Sequence, residues 1–186
     1  MTGAGPVTFP VPVPRDNRYN MPVSLPALQL HLDYSGWASA RLLEAAARLT
    51  PAERNRDFGT ADRSVLGTLV HIFGADRAWM ARVRGQALVR YLAPEDYEFE
   101  RLQSAWPALQ RDWRDWAAGL EEASVHECRT YQDLKGNTWT TPLWQIVLHV
   151  VNHGTHHRGQ AAGFLRSMGH APPALDLIAY YRSLAQ

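Results

Sequence analysis

The chain has 186 residues, 46% of them hydrophobic and 20% charged, which suits one folded domain and excludes wholesale disorder. Its 19 basic and 18 acidic residues are mixed along the chain and leave a formal charge of +1; without a clustered Lys/Arg footprint for displacing phosphate counterions, a nucleic-acid partner is not expected. Cys128 is the single cysteine, so an intrachain disulfide and a thiolate-rich zinc site are both excluded.

Residues 1–23 form a proline-rich N-terminal arm, with Pro6, Pro10, Pro12, Pro14 and Pro22 fixing φ and removing backbone donors. The first twenty residues lack the charged start and apolar core of a secretory leader, and no later run reaches the ~18 apolar residues of a membrane span. A cytoplasmic protein with no membrane partner is expected. From Leu25 to Leu49 apolar or small residues recur at helical spacing, with Ser24 as N-cap and Pro51 beyond the end. A second helix is predicted from Val65 to Val83, stopped by Gly85. A third lies between Pro94 and Glu122, where Pro107 must either kink the helix or open its main part.

Residues 127–140 break the helical pattern and set β-prone residues on either side of Lys135-Gly136-Asn137, a predicted hairpin. Thr141-Pro142 then opens a fourth helix running to Met168, with Gly169 as its stop, and residues 174–185 form a short terminal helix. The expected fold is therefore all-α: a four-helix bundle over residues 24–186, with a small β-hairpin between its third and fourth helices and a short C-terminal helix. Seven tryptophans, most within helical patterns, read as core filling rather than as ligand-binding aromatics.

Four of the eight histidines fall within HVVNHGTHHRGQ, residues 149–160 of the fourth helix. Residues four apart share a helix face, with about 5–6 Å between Cβ atoms, so His149 with His153, or His153 with His157, could converge on one ion. His156, three residues after His153, is a further geometric possibility, and spacing alone leaves the pair open. A third ligand is expected from another helix, and His71 is the histidine in the middle of the apolar second helix. Its small neighbours Gly67, Gly74 and Ala75 suggest room for an ion. Neutral imidazoles suit zinc, nickel, copper or iron, and three of them leave a coordination position open for water or substrate.

Three segments carry a resemblance to a known family: LHLDYSGWASARLL (30–43), TLVHIFGADRAWMARVRG (68–85) and LHVVNHGTHHRGQ (148–160). Together they make the chain, over about residues 24–185, resemble the DinB/YfiT-like family of metal-binding four-helix proteins. The resemblance implies a bundle of unusual helix order, often dimeric, holding one divalent ion. Its ligands carry over by position to His71, His153 and His157, which leaves His149 and His156 as neighbours. Zinc or nickel is the expected ion, with iron or manganese as alternatives. The implied function is a metal-dependent enzyme of the thiol-dependent S-transferase or isomerase type, acting on a small molecule with a low-molecular-weight thiol and working as a homodimer. The alternatives are a metal-dependent hydrolase and a non-catalytic metal-binding protein of the stress response. Gly36 departs from the pattern, because similar sequences often place Asn there.

Other polar residues have blander expectations. Arg158 is expected to pair with a helix carboxylate such as Asp33, and Asp76 with a neighbouring arginine. Gly159 is expected to permit close helix approach, and Gln160 to orient a bound water or an imidazole. Cys128 has no base at a fixed spacing that would mark it as a nucleophile.

Overall fold

A computed structural model of the chain describes residues 23–87 and 90–185; most of the proline-rich arm therefore lies outside the described residues. The described chain is mostly helical, with one small antiparallel sheet. In order, the elements are α1 (Leu25–Ala47), α2 (Pro51–Arg54), α3 (Val65–Val83), a 3-10 turn (Pro94–Tyr97), α4 (Phe99–Ala118), a second 3-10 turn (Glu122–His126), β1 (Cys128–Gln132), β2 (Thr138–Pro142), α5 (Leu143–Ser167) and α6 (Leu177–Ser183).

The helix starts follow local chemistry. Ser24 caps α1 by accepting the Ala27 amide at 3.4 Å, and the free Leu25 amide donates to the Glu122 carboxylate at 3.0 Å. Pro51 does more than end α1. It opens α2, where the Thr50 hydroxyl accepts the Glu53 amide at 3.3 Å and the Glu53 carboxylate accepts the Thr50 amide at 2.8 Å. Ser64 caps α3 by accepting the Gly67 amide at 3.0 Å. Pro107 lies inside an unbroken α4, so the main part of that helix begins well before it, at Phe99. Pro142 is the last residue of β2 and sits just outside α5, not at its first helical position. Strand thus passes into helix with no intervening loop.

β1 and β2 pair from Cys128 with Pro142 to Gln132 with Thr138. Their turn is organised by Asp133, whose carboxylate accepts the amides of Lys135 (2.8 Å) and Asn137 (2.9 Å) and the indole N–H of Trp139 (3.0 Å). Those donors, Trp139 foremost, hold the Asp133 carboxyl far below its ordinary range. Gly136 takes the positive φ of 84° that the turn requires.

α5 packs along both α1 and α3, and α4 packs along the same two helices, so α4 and α5 stand diagonally across the core. Leu28 and Leu42 of α1, Leu69 and Ile72 of α3, Trp106 and Trp113 of α4, and Ile146 and Leu165 of α5 are fully buried between them. Trp106, Trp113 and Trp144 are core residues as expected, whereas Trp139 on the hairpin is 53% exposed. α6 folds back on α1, where Tyr180 packs against Tyr34 and Trp37 with ring centroids 5.9 and 5.5 Å apart. The contact between α3 and α5 brings two histidine-bearing faces together.

Candidate metal centre

His71 projects from the middle of α3 and His153 and His157 from successive turns of α5. The Nε2 atoms of His71 and His153 lie 3.1 Å apart. The His71 ring is 4.3 Å from that of His157, and His153 and His157 are 4.5 Å apart, centroid to centroid. One ligand atom from each of the three can be chosen so that all lie within 4.8 Å of one another; among the described residues this cluster holds those three histidines alone. Two nitrogens each 2.0–2.1 Å from a tetrahedral ion stand about 3.3 Å apart, close to the observed Nε2 separation.

The electrostatics favour neutral ligands. Burial first, then the neighbouring imidazoles led by His157, pushes the His153 pKa down to about 3. Burial also lowers that of His71, helped by His157 and opposed by Asp62. Both rings therefore carry free lone pairs at neutral pH, as a metal ligand must.

The remaining histidines are dispersed. His149 lies one turn before His153, but its ring is set against Trp79 at 5.1 Å and stays outside the cluster. His156 is exposed beside His157. His170 bonds Glu53 at 2.9 Å and holds that carboxyl down to about 2; the Nδ1 atom of His31 meets the carbonyl of Ala27 at 2.7 Å.

Around the triad, Gln160 meets one expectation: its side-chain oxygen lies 2.7 Å from Nδ1 of His157 and orients that ring. A residue without any sequence signal joins it. Asp62, in the loop before α3, places one carboxylate oxygen 3.6 Å from Nδ1 of His71 and the other 3.4 Å from Nδ1 of His157. Nothing in the spacing of a polar loop marks that aspartate; only the packing of the loop onto α3 and α5 does.

The small residues of α3 serve a purpose different from the one expected. A Cβ on Gly67 would stand 2.0 Å from the carbonyl oxygen of Asp62, and one on Gly74 would stand 2.6 Å from the side chain of Leu92. These glycines admit neighbouring loops. Open space lies beside them, in a cavity of about 420 Å³ whose lining includes His71, Gly67, Asp62, Asn55, Ser64 and Tyr97 but neither His153 nor His157. A roomier cavity of about 750 Å³, between α1, α5 and residues 172–177, contains none of the three histidines.

Three further expectations are corrected. Gly159 is exposed, and a Cβ at that position would have nothing within 4 Å; the close approach on α5 is at Gly154, where a Cβ would meet the Arg158 guanidinium at 2.6 Å. Arg158 pairs with no carboxylate among the described residues. It is 1% exposed and donates to the hydroxyls of Ser35 (3.1 Å), Ser39 (3.3 Å) and Thr155 (3.2 Å), under the ring of Tyr34. Asp76 also lacks an arginine partner in contact. It accepts the Trp106 indole N–H at 3.0 Å and the Gln110 amide at 2.8 Å, and burial raises its pKa to about 6.

A mostly helical chain with three convergent histidines from two helices defines a candidate metal-binding helical protein. Comparison with known proteins narrows this: the DinB family model matches residues 21–185, and Protein DinB of Bacillus subtilis (strain 168) is 23% identical over 152 residues, covering 77% of this chain and 87% of that protein. The chain belongs to the DinB family.

Proposed function

We propose that this protein is a metal-dependent enzyme in which His71, His153 and His157 hold one divalent ion within a four-helix bundle formed by α1, α3, α4 and α5. The observation that carries the reading is the mutual approach of the three imidazoles from two helices, within 4.8 Å. The donor set suits the group: three neutral nitrogens fit zinc or nickel first, and iron or manganese after them. When bound, the ion supplies Lewis acidity that lowers the pKa of a thiol or water and readies it as a nucleophile.

The chain's own residues do the rest. Gln160 fixes the ring plane of His157 from its Nδ1 side. Asp62 brings a negative charge to the same side of the centre. A cavity reaches His71, though neither His153 nor His157 lines it, and leaves that ring open to a small molecule, which favours a reactive centre over a sealed structural one. We assign the reaction to the thiol-dependent S-transferase class, in a cytoplasmic homodimer; hydrolysis by activated water is the competing reaction at the same centre.

Elemental analysis of protein purified without a histidine tag tests the ligand set. One ion per chain is expected in wild type, with loss of most metal in His71→Ala, His153→Ala and His157→Ala and retention in His156→Ala and His170→Ala. Equal metal content in wild type and His153→Ala would remove the centre. Titrating small thiols into cobalt-loaded protein separates the reactions. A shifted d–d spectrum is expected for an S-transferase, and an unchanged spectrum excludes that class.

A further inference from the structure

We infer that Asp62 is a positioning residue of the histidine centre, accepting the Nδ1 proton of His71, and sharing that of His157, when the Nε2 atoms face an ion. This rests on the metal-binding reading above and assigns a role to a residue outside the ligand cluster.

Imidazole tautomers set the requirement. The 3.1 Å contact between Nε2 of His71 and Nε2 of His153 is a hydrogen bond only if one of those nitrogens carries a proton. An ion needs the lone pairs of both. The displaced proton must then reside on the Nδ1 atom of the same ring, with no net change in protonation. For His71, the described structure offers one acceptor there, the Asp62 carboxylate at 3.6 Å. That separation is longer than a formed hydrogen bond of 2.7–3.2 Å, and the carboxylate would close it once the Nδ1 proton is in place. For His157 the acceptor is shared: Gln160 at 2.7 Å and Asp62 at 3.4 Å both address Nδ1.

The loop is built for this placement. Asp62 has no Arg or Lys partner among the described residues, because adjacent Arg63 is committed to Asp57 at 2.6 Å. Arg63 is the one described residue other than glycine with positive φ, at 63°, a conformation that costs free energy and persists only where surrounding contacts impose it. Those contacts are the Phe58 amide on the Arg63 carbonyl (2.7 Å) and the Ser64 amide on the Asp62 carbonyl (2.7 Å). Phe58 in turn stacks on Phe164 of α5, centroids 4.3 Å apart, and Gly67 lets the Asp62 carbonyl lie against α3. The loop is thereby anchored to both helices that bear the histidines.

The test is zinc titration of the apo full-length chain by calorimetry, with long-range ¹H–¹⁵N spectra of the histidine rings in the zinc-loaded state. Wild type is expected to bind one zinc, with His71 ligating through Nε2 and protonated at Nδ1. Asp62→Ala is expected to weaken zinc binding on the order of 10–100-fold at unchanged stoichiometry. Asp62→Asn, which keeps an oxygen but loses the charge, is expected to fall between the two, with the His71 ¹⁵N shifts displaced. Thermal unfolding of the apo proteins separates this loss from misfolding, and Asp62→Asn carries the test if Asp62→Ala does not fold. Equal zinc affinity in wild type and either folded variant, or ligation of His71 through Nδ1, would overturn the role of Asp62 while leaving the centre intact. Absence of zinc uptake by wild type would instead remove the centre itself, and the role with it.

Discussion

Asp76 illustrates how one buried carboxyl sets a pH dependence. Burial raises its pKa from 3.8 to about 6, so between those values the folded chain holds the proton that the unfolded chain has released. The stabilisation is complete below about pH 4 and is lost as pH rises through 6. His153 acts in the opposite sense: its folded pKa of about 3 lies below the ordinary 6.5, so its contribution is present above 6.5 and lost as pH falls toward 3. Asp76→Asn keeps an oxygen for Trp106 and Gln110 but cannot ionise. Relative to wild type, its unfolding free energy is expected to rise by about 3 kcal/mol between pH 4 and pH 7, measured by urea unfolding at several pH values. The His153 term is common to both proteins and cancels; parallel pH courses would contradict the burial-driven shift. At this scale the sequence was informative where spacing carries meaning. The histidines and Gln160 stand one turn apart on a helix and could be singled out by counting. The pairings of Asp62 with His157, Asp76 with Trp106 and Arg158 with Ser35 join residues thirty or more positions apart, and no local pattern encodes such pairings.

Among the elements, α3 and α5 show two glycines of opposite meaning. A methyl on Gly67 would drive into the Asp62 carbonyl at 2.0 Å, and backbone cannot yield as a flexible side chain can. Gly67→Ala is expected to cost about 1–3 kcal/mol in urea unfolding, because overpacking displaces the loop. Gly159→Ala meets open space in a helix interior, and is expected to gain about 0.5–1 kcal/mol through the unfolded chain's lost freedom. Stabilisation by both variants, or destabilisation by both, would contradict the contrast between the two positions. Element boundaries were legible wherever a cap or stop residue stood: α3 matches its predicted span of Val65–Val83, and α1 begins at Leu25 after Ser24. The ambiguity over Pro107 had a physical source. Proline forbids one backbone bond, yet packing of α4 against α1 and α3 carries the helix through it.

For the molecule as a whole, Arg158 joins α5 to α1 through Ser35 and Ser39, and Asp76 joins α3 to α4 through Trp106 and Gln110. The Coulomb field between Arg158 and Asp76 links the two halves. Arg158→Leu is expected to cost about 1–3 kcal/mol in urea unfolding, because the buried hydroxyls of Ser35 and Ser39 lose their donor and Asp76 loses a balancing charge that it does not touch. Combining it with Asp76→Asn is expected to cost less than the sum of the single changes, and strict additivity in the double-mutant cycle would deny the coupling. This cross-connection was not legible in the sequence, since it depends on which helices become neighbours. A different consequence follows from the placement of His71 and His153, which are 82 residues apart in the chain. The unfolded polymer cannot present both to one ion without closing a long loop. An ion held by α3 and α5 as proposed would act as a clasp between distant parts of the chain, and free metal at 1,000 times its dissociation constant would add about 4.1 kcal/mol to the native state. A chelator would then lower the melting temperature toward that of the apo chain, and the melting temperature would become a gauge of metal supply.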